Sequence, residues 1–152
     1  MKTCCFFLAG ALLAISLSTA AVTPVHANIL VEHPWIRWLP ANLPAGGYVV
    51  IANDGRAPER LVGASSPDYA RVMLHRSQEV NGVDVMTAVS GIDIPAHGSV
   101  KLAPGGYHLM LMHAKRAIKP GDKVTMTLHF AGGEALQVDF PVLPANASGP
   151  PD

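Results

Sequence analysis

The stretch VMLHRSQEVNGVDVMTAV, Val72 to Val89, decides the fold. Val72 to Ser77 reads as one strand and Val83 to Val89 as its return. Between them, Asn81-Gly82 is the strongest short-range hairpin signal, because both central residues of such a turn must accept positive φ. With a two-residue loop, His75 stands opposite Ala88 and Met86 opposite Ser77. A four-residue loop from Val80 to Val83 keeps the same pairing. His75 and Met86 are then diagonal neighbours on one face, within reach of long side chains.

The same alternation of short apolar runs and turns extends both ways. Tyr48 to Ala52 is apolar and β-branched, closed by Asn53-Asp54-Gly55, and Leu61 to Ala64 is a further short strand. Ile92 to Ile94 and Ser99 to Leu102 flank Pro95-Ala96-His97-Gly98, and Pro104-Gly105-Gly106 feeds Tyr107 to Met112. Pro120-Gly121-Asp122 feeds Val124 to Phe130, and Ala131-Gly132-Gly133 turns the chain into Ala135 to Val142. Turn chemistry about every ten residues predicts an all-β domain, a sandwich or a barrel. Outside the first residues only Pro67 to Arg71 suggests a single helical turn. No repeat and no second domain is visible.

Residues 1–27 read as a signal peptide. Lys2 supplies the positive start, Cys4 to Leu17 the apolar run, and Val25-His26-Ala27 a cleavage site. Ser18-Thr19-Ala20 is a second possible cut. Cys4 and Cys5 precede the apolar run, whereas a lipid-modified cysteine would follow it. The expectation is an exported, soluble periplasmic protein with one domain over residues 28–144. The tail, residues 145–152, is Pro-, Ala-, Gly- and Ser-rich and is expected to be disordered.

Both cysteines of the chain fall in that leader, so cleavage leaves none. Disulfides, zinc ribbons, thiol nucleophiles and a blue-copper centre are excluded together. The formal charge is +0 and no basic run exists, so nucleic acid and anionic membrane are poor partners. No serine lies in a nucleophile elbow, no glycine-rich loop opens a helix, and no carboxylates are paired for acid–base work. The chain reads as a carrier and not as an enzyme.

What remains is a donor set. Ten residues separate His75 from Met86, twenty-one separate Met86 from His108, and one separates His108 from Met110. His108 and Met110 share a strand face by parity. Two imidazoles with two thioethers suit Cu(I), since soft sulfur selects it and hard cations demand oxygen. Met112 shares the face of His108 and Met110, and Met73 that of His75; each reads as a further donor or as packing. Met126, in an alternating strand, reads as core, and His113 as a surface residue on the opposite face. Trp35 and Trp38 read as packing at the sandwich edge.

These features resemble the PCuAC family of periplasmic copper chaperones over about Leu30 to Pro144. The resemblance is carried by His33-Pro34-Trp35-Ile36-Arg37, Asn53, Leu61-Val62-Gly63-Ala64-Ser65, Leu74-His75, Gly91-Ile92 and Ile94-Pro95-Ala96. Above all it rests on Leu102-Ala103-Pro104-Gly105-Gly106-Tyr107-His108-Leu109-Met110-Leu111-Met112. The family's ligand intervals match those of His75, Met86, His108 and Met110. The resemblance implies a cupredoxin-like Greek-key β-sandwich that holds one Cu(I) near its surface. It also implies delivery to the CuA centre of cytochrome c oxidase subunit II, directly or through a thiol-containing copper assembly protein. His113 departs from the family pattern, which usually has a small residue, often Gly, and could add a transient ligand. The Met- and His-rich tail of some relatives is absent. Copper buffering or sequestration, and a metal-free interaction module, are the alternative readings.

Overall fold

The structure, a computed structural model, describes residues 28–41 and 43–150, and its regular elements are all β-strands. The expected signal peptide, residues 1–27, with both of its expected cleavage points, lies outside the described residues. In chain order the strands are β1 (Ile29–Arg37), β2 (Ala45–Asn53), β3 (Glu59–Ser65), β4 (Tyr69–Val80) and β5 (Val83–Ala88). They continue with β6 (Ile92–Ile94), β7 (Gly98–Leu102), β8 (Tyr107–Ala114), β9 (Lys123–Phe130) and β10 (Ala135–Leu143).

One layer runs β5-β4-β8-β2-β1, with β7 also paired to β2; the other runs β10-β9-β3-β6. The layers join where β1 meets β10 in parallel, Ile36 beside Val142 and Arg37 beside Leu143. The chain crosses between layers at β2–β3, β3–β4, β5–β6, β6–β7 and β8–β9, so most strand pairings join strands that are not consecutive in sequence. This is the expected all-β sandwich with Greek-key connectivity.

Strand alternation builds the core. Val124, Met126, Leu128 and Phe130 of β9 all point inward, with Met126 completely buried as its pattern predicts. They meet Val49, Ile51, Leu74, Leu109 and Leu111 from the other layer in one continuous cluster. Each fully buried side chain of this kind contributes about 1.5–3 kcal/mol. Gly47 lets β2 and β8 close tightly, because a Cβ there would lie 3.1 Å from both the Leu109 Cβ and the Leu111 Cδ1.

Three sequence expectations change. Pro67 to Arg71 is not a helical turn: the Ser66 hydroxyl accepts from the Asp68 amide at 3.1 Å, and Tyr69 already pairs with Ala114. The first strand is absent from the strand pattern read in the sequence, because His33 and Pro34 interrupt it. The structure accommodates them at a bulge between Glu32 and Trp35, where His33 takes φ 49°. A bulge is where proline, lacking an amide hydrogen, is tolerated within a sheet. Trp35 consequently sits on an interior strand, buried, instead of at the sandwich edge.

Beyond β10 the chain turns through Pro144 to Ala147, and Arg37 Nε donates to the Ala147 carbonyl at 3.2 Å.

Candidate metal centre

The Asn81-Gly82 turn forms with φ values of 54° and 79°, and Val80 pairs with Val83 across it. This fixes the register: His75 lies opposite Ala88 and Met86 opposite Ser77. On its other side β4 pairs with β8, which places His75 directly opposite His108 and Met73 opposite Met110. Four strand positions from three segments therefore share one outward face. The inward face of the same ladder carries Leu74 against Leu109.

The two imidazoles are 5.8 Å apart, centroid to centroid, with planes inclined at 58°. An imidazole bound through nitrogen at about 2 Å has its centroid roughly 3.2 Å from the ion, so two rings sharing one ion stand at most about 6.4 Å apart. The observed pair meets that limit. Direct cross-strand neighbours have Cβ atoms about 5 Å apart and diagonal ones roughly 7–8 Å, which brings Met110 and Met86 within side-chain reach.

Each imidazole has a distinct electrostatic setting. His108 is 6% exposed, and its Nδ1 lies 3.0 Å from the Gly106 carbonyl oxygen. A carbonyl can only accept, so Nδ1 carries the hydrogen and Nε2 is the ring nitrogen left to coordinate. Gly106 is positioned for this by the turn after Pro104, where Gly105 takes φ 80° and the Gly106 amide donates to Ala103. Such an outer partner orients an imidazole for coordination. His75 has both ring nitrogens buried and without any hydrogen-bond partner. Its pKa is lowered, first by burial and then by the neighbouring charge of His108. A buried unpaired polar atom costs about 1–3 kcal/mol, which a bound ion would relieve. The orphaned nitrogens, the fixed tautomer and the sulfur donors fit a soft monovalent metal.

Exposure is graded across the site. Met86 is 51% exposed on the edge strand β5, Met110 is half-buried, and His108 is deepest. The thioethers thus form the solvent-facing rim and the imidazoles the floor.

An aromatic row flanks the floor, and the motif reading missed it. Tyr48 follows Gly47, whose partner is Leu109, so Tyr48 and His108 fall in one row, 6.5 Å apart at their centroids. Trp35 pairs with Tyr48 and its ring stacks 4.6 Å away. The Arg37 guanidinium lies 5.5 Å from both the Trp35 and the Tyr48 ring. Burial pushes the Tyr48 phenol up, opposed by the charge of Arg37. Gly46, the partner of Met110, must be small here: a Cβ on it would lie 2.6 Å from the Tyr48 hydroxyl oxygen. The signal was available in His33-Pro34-Trp35-Ile36-Arg37, whose alternation puts Trp35 and Arg37 on one face.

His113 lies apart from this constellation. It is exposed, takes φ 56°, and lines a cavity of about 180 Å³ with Trp38, Tyr69 and Leu111, whose side chains join or pack against the core. The left-handed backbone explains why a glycine suits that position, and the cavity lies on the face away from His108 and Met110. A transient ligand role for His113 finds no geometric support.

The chain matches the LpqE-like family, described as "Putative lipoprotein LpqE-like", over residues 29–142. It is 33% identical over 132 residues to "Putative lipoprotein Lxx21020" of Leifsonia xyli subsp. xyli, spanning 85% of this chain and 79% of that protein. Among solved structures it is similar to the apo PmoF2 PCuAC domain, with TM-score 0.66 and 29% identity over 80% of this chain and 94% of that one. The copper-bound PCuAC domain from PmoF2 gives TM-score 0.63 and 28% identity over 76% and 92%. The Cu(I) form of DR1885 from Deinococcus radiodurans gives 0.62 and 30% over 85% and 84%. The chain belongs to the LpqE-like, PCuAC family. Among the described residues no helix is long and apolar enough to cross a membrane.

Proposed function

We propose that this PCuAC-type protein is an exported carrier of Cu(I), held by His75, Met86, His108 and Met110. The observation that carries the reading is the pair of orphaned His75 nitrogens facing a His108 ring whose tautomer is already set. Two relatives of similar structure are described as copper-bound or Cu(I)-bound, which supports the same metal here. The lipoprotein descriptions of the family and of the Leifsonia relative support export out of the cytoplasm, and the periplasm is the compartment we propose.

Four neutral donors leave the bound ion cationic and exchangeable. Thiolate is a stronger donor, so an acceptor cysteine can replace the rim thioethers one at a time. The exposed Met86 is where such replacement begins, and the buried His108 is the last to let go. We propose that the acceptor is a cuproprotein, the CuA centre of cytochrome c oxidase subunit II or a thiol-containing assembly protein acting before it. No acid, base or activated nucleophile is needed for such exchange, in keeping with a carrier rather than a catalyst.

The test is a Cu(I) competition titration against a chelator, comparing the native protein with His108→Ala, Met110→Ala. Loss of an outer-shell partner alone typically costs 10–100-fold, so loss of two direct ligands should cost more than about 100-fold. Equal affinities would sink the assignment. Mixing the loaded protein with an apo CuA domain then separates delivery, which moves the metal, from sequestration, which retains it.

A further inference from the structure

The methionines divide into two populations. Of six in the chain, Met1 lies in the leader and Met126 is sealed in the core. Met73, Met86, Met110 and Met112 belong neither to the core cluster nor to the residues packed against it. Core filling, the ordinary use of methionine, therefore does not account for Met73 and Met112, which the four-ligand site leaves unused.

Register puts these two beside Met110. Met73 is directly opposite Met110, while Met112, opposite Arg71, is two residues along the same face of β8. Met73 is thus a direct neighbour of one thioether and a diagonal neighbour of the other. All three side chains are half-buried. Their three rotatable bonds let the sulfurs converge above the strands.

We propose that Met73, Met110 and Met112 form a second, thioether-only position for a monovalent soft cation, cuprous or silver, adjoining the His75–His108 pair and sharing Met110 with it. An all-sulfur, uncharged donor set selects such ions and rejects zinc, calcium and magnesium. With no imidazole, and with the exposed Arg71 opposite Met112, it holds its ion more weakly than the neighbouring site. That makes it a waypoint, where an ion rests before entering or after leaving the imidazole floor. The role as a waypoint rests on the four-ligand reading; the binding itself does not.

The experiment follows the ε-methyl signals of ¹³C-labelled methionine as Ag(I) is added to the full domain. The first equivalent should move Met86, Met110 and the rings of His75 and His108. The second should move Met73 and Met112, with affinity at least about tenfold weaker. Met73→Leu, Met112→Leu should abolish the second phase and leave the first within about threefold. In a His75→Ala, His108→Ala variant, Met73 and Met112 should respond to the first equivalent. Still signals at Met73 and Met112 throughout, or a second phase that survives the double leucine variant, would overturn the proposal. Movement of Met73 and Met112 with Met86 and both rings unmoved would support it while sinking the four-ligand reading.

Discussion

Asn53 and His75 are both polar side chains taken out of water in the same layer, and they are treated in opposite ways. Asn53, fully buried at the end of β2, is saturated: its Nδ2 donates to Ala57 at 2.9 Å and to Ile94 at 3.4 Å, and its Oδ1 accepts from the Gly55 amide at 2.9 Å. The His75 nitrogens, also out of solvent, have nothing. One group ties the corner of the sandwich together, and the other costs the fold stability. A buried polar atom that the fold leaves unpaired calls for a physical reason, and metal ligation is the one proposed for His75.

Asn53→Ala leaves two carbonyls and an amide without their partner, and should destabilise the domain by about 2–4 kcal/mol in urea denaturation. His75→Leu should go the other way. Removing the orphaned nitrogens should leave the metal-free protein as stable or up to about 1–2 kcal/mol more stable, while Cu(I) protection against unfolding disappears. A large loss of stability in His75→Leu would mean that His75 is structural after all. The hairpin that carries Met86 beside His75 offers a smaller perturbation. Gly82, at φ 79°, has open space around it but a conformation that alanine resists, so Gly82→Ala should cost about 1 kcal/mol by strain alone.

Acidity sharpens the contrast further, since asparagine does not titrate. His75 is held below its ordinary pKa in the folded protein, mainly by burial. The unfolded chain therefore takes up its proton first as pH falls. The contribution is fully present above the unfolded histidine pKa of about 6.5 and is lost as pH drops through that value toward the depressed folded one. Urea midpoints of the metal-free protein between pH 7.5 and 5 should fall less steeply in His75→Leu than in the native chain.

The hairpin register was legible because a two-residue Asn-Gly loop and a four-residue loop from Val80 to Val83 give the same pairing, and side-chain parity then follows. The spacing of the donors was legible for the same reason. What could not be read was the pairing of β4 with β8. Partner choice among distant strands depends on the whole set of inward-facing side chains, here Leu74 meeting Leu109, and not on local pattern. The aromatic row of Trp35 and Tyr48 beside His108 was hidden by the same ignorance of neighbours. It was hidden again by the His33-Pro34 bulge, which breaks the alternation that reveals a strand. The Ser66 turn shows the converse: a local polar residue diverts the chain where the sequence pattern suggests a helical turn.

What surrounds the metal is the most direct test of the four proposed ligands. X-ray absorption at the copper edge, on protein loaded with one equivalent of Cu(I), should report two nitrogen and two sulfur scatterers, with one nitrogen lost in His75→Leu. A shell of nitrogen and oxygen without sulfur, or one unchanged in that variant, would contradict it.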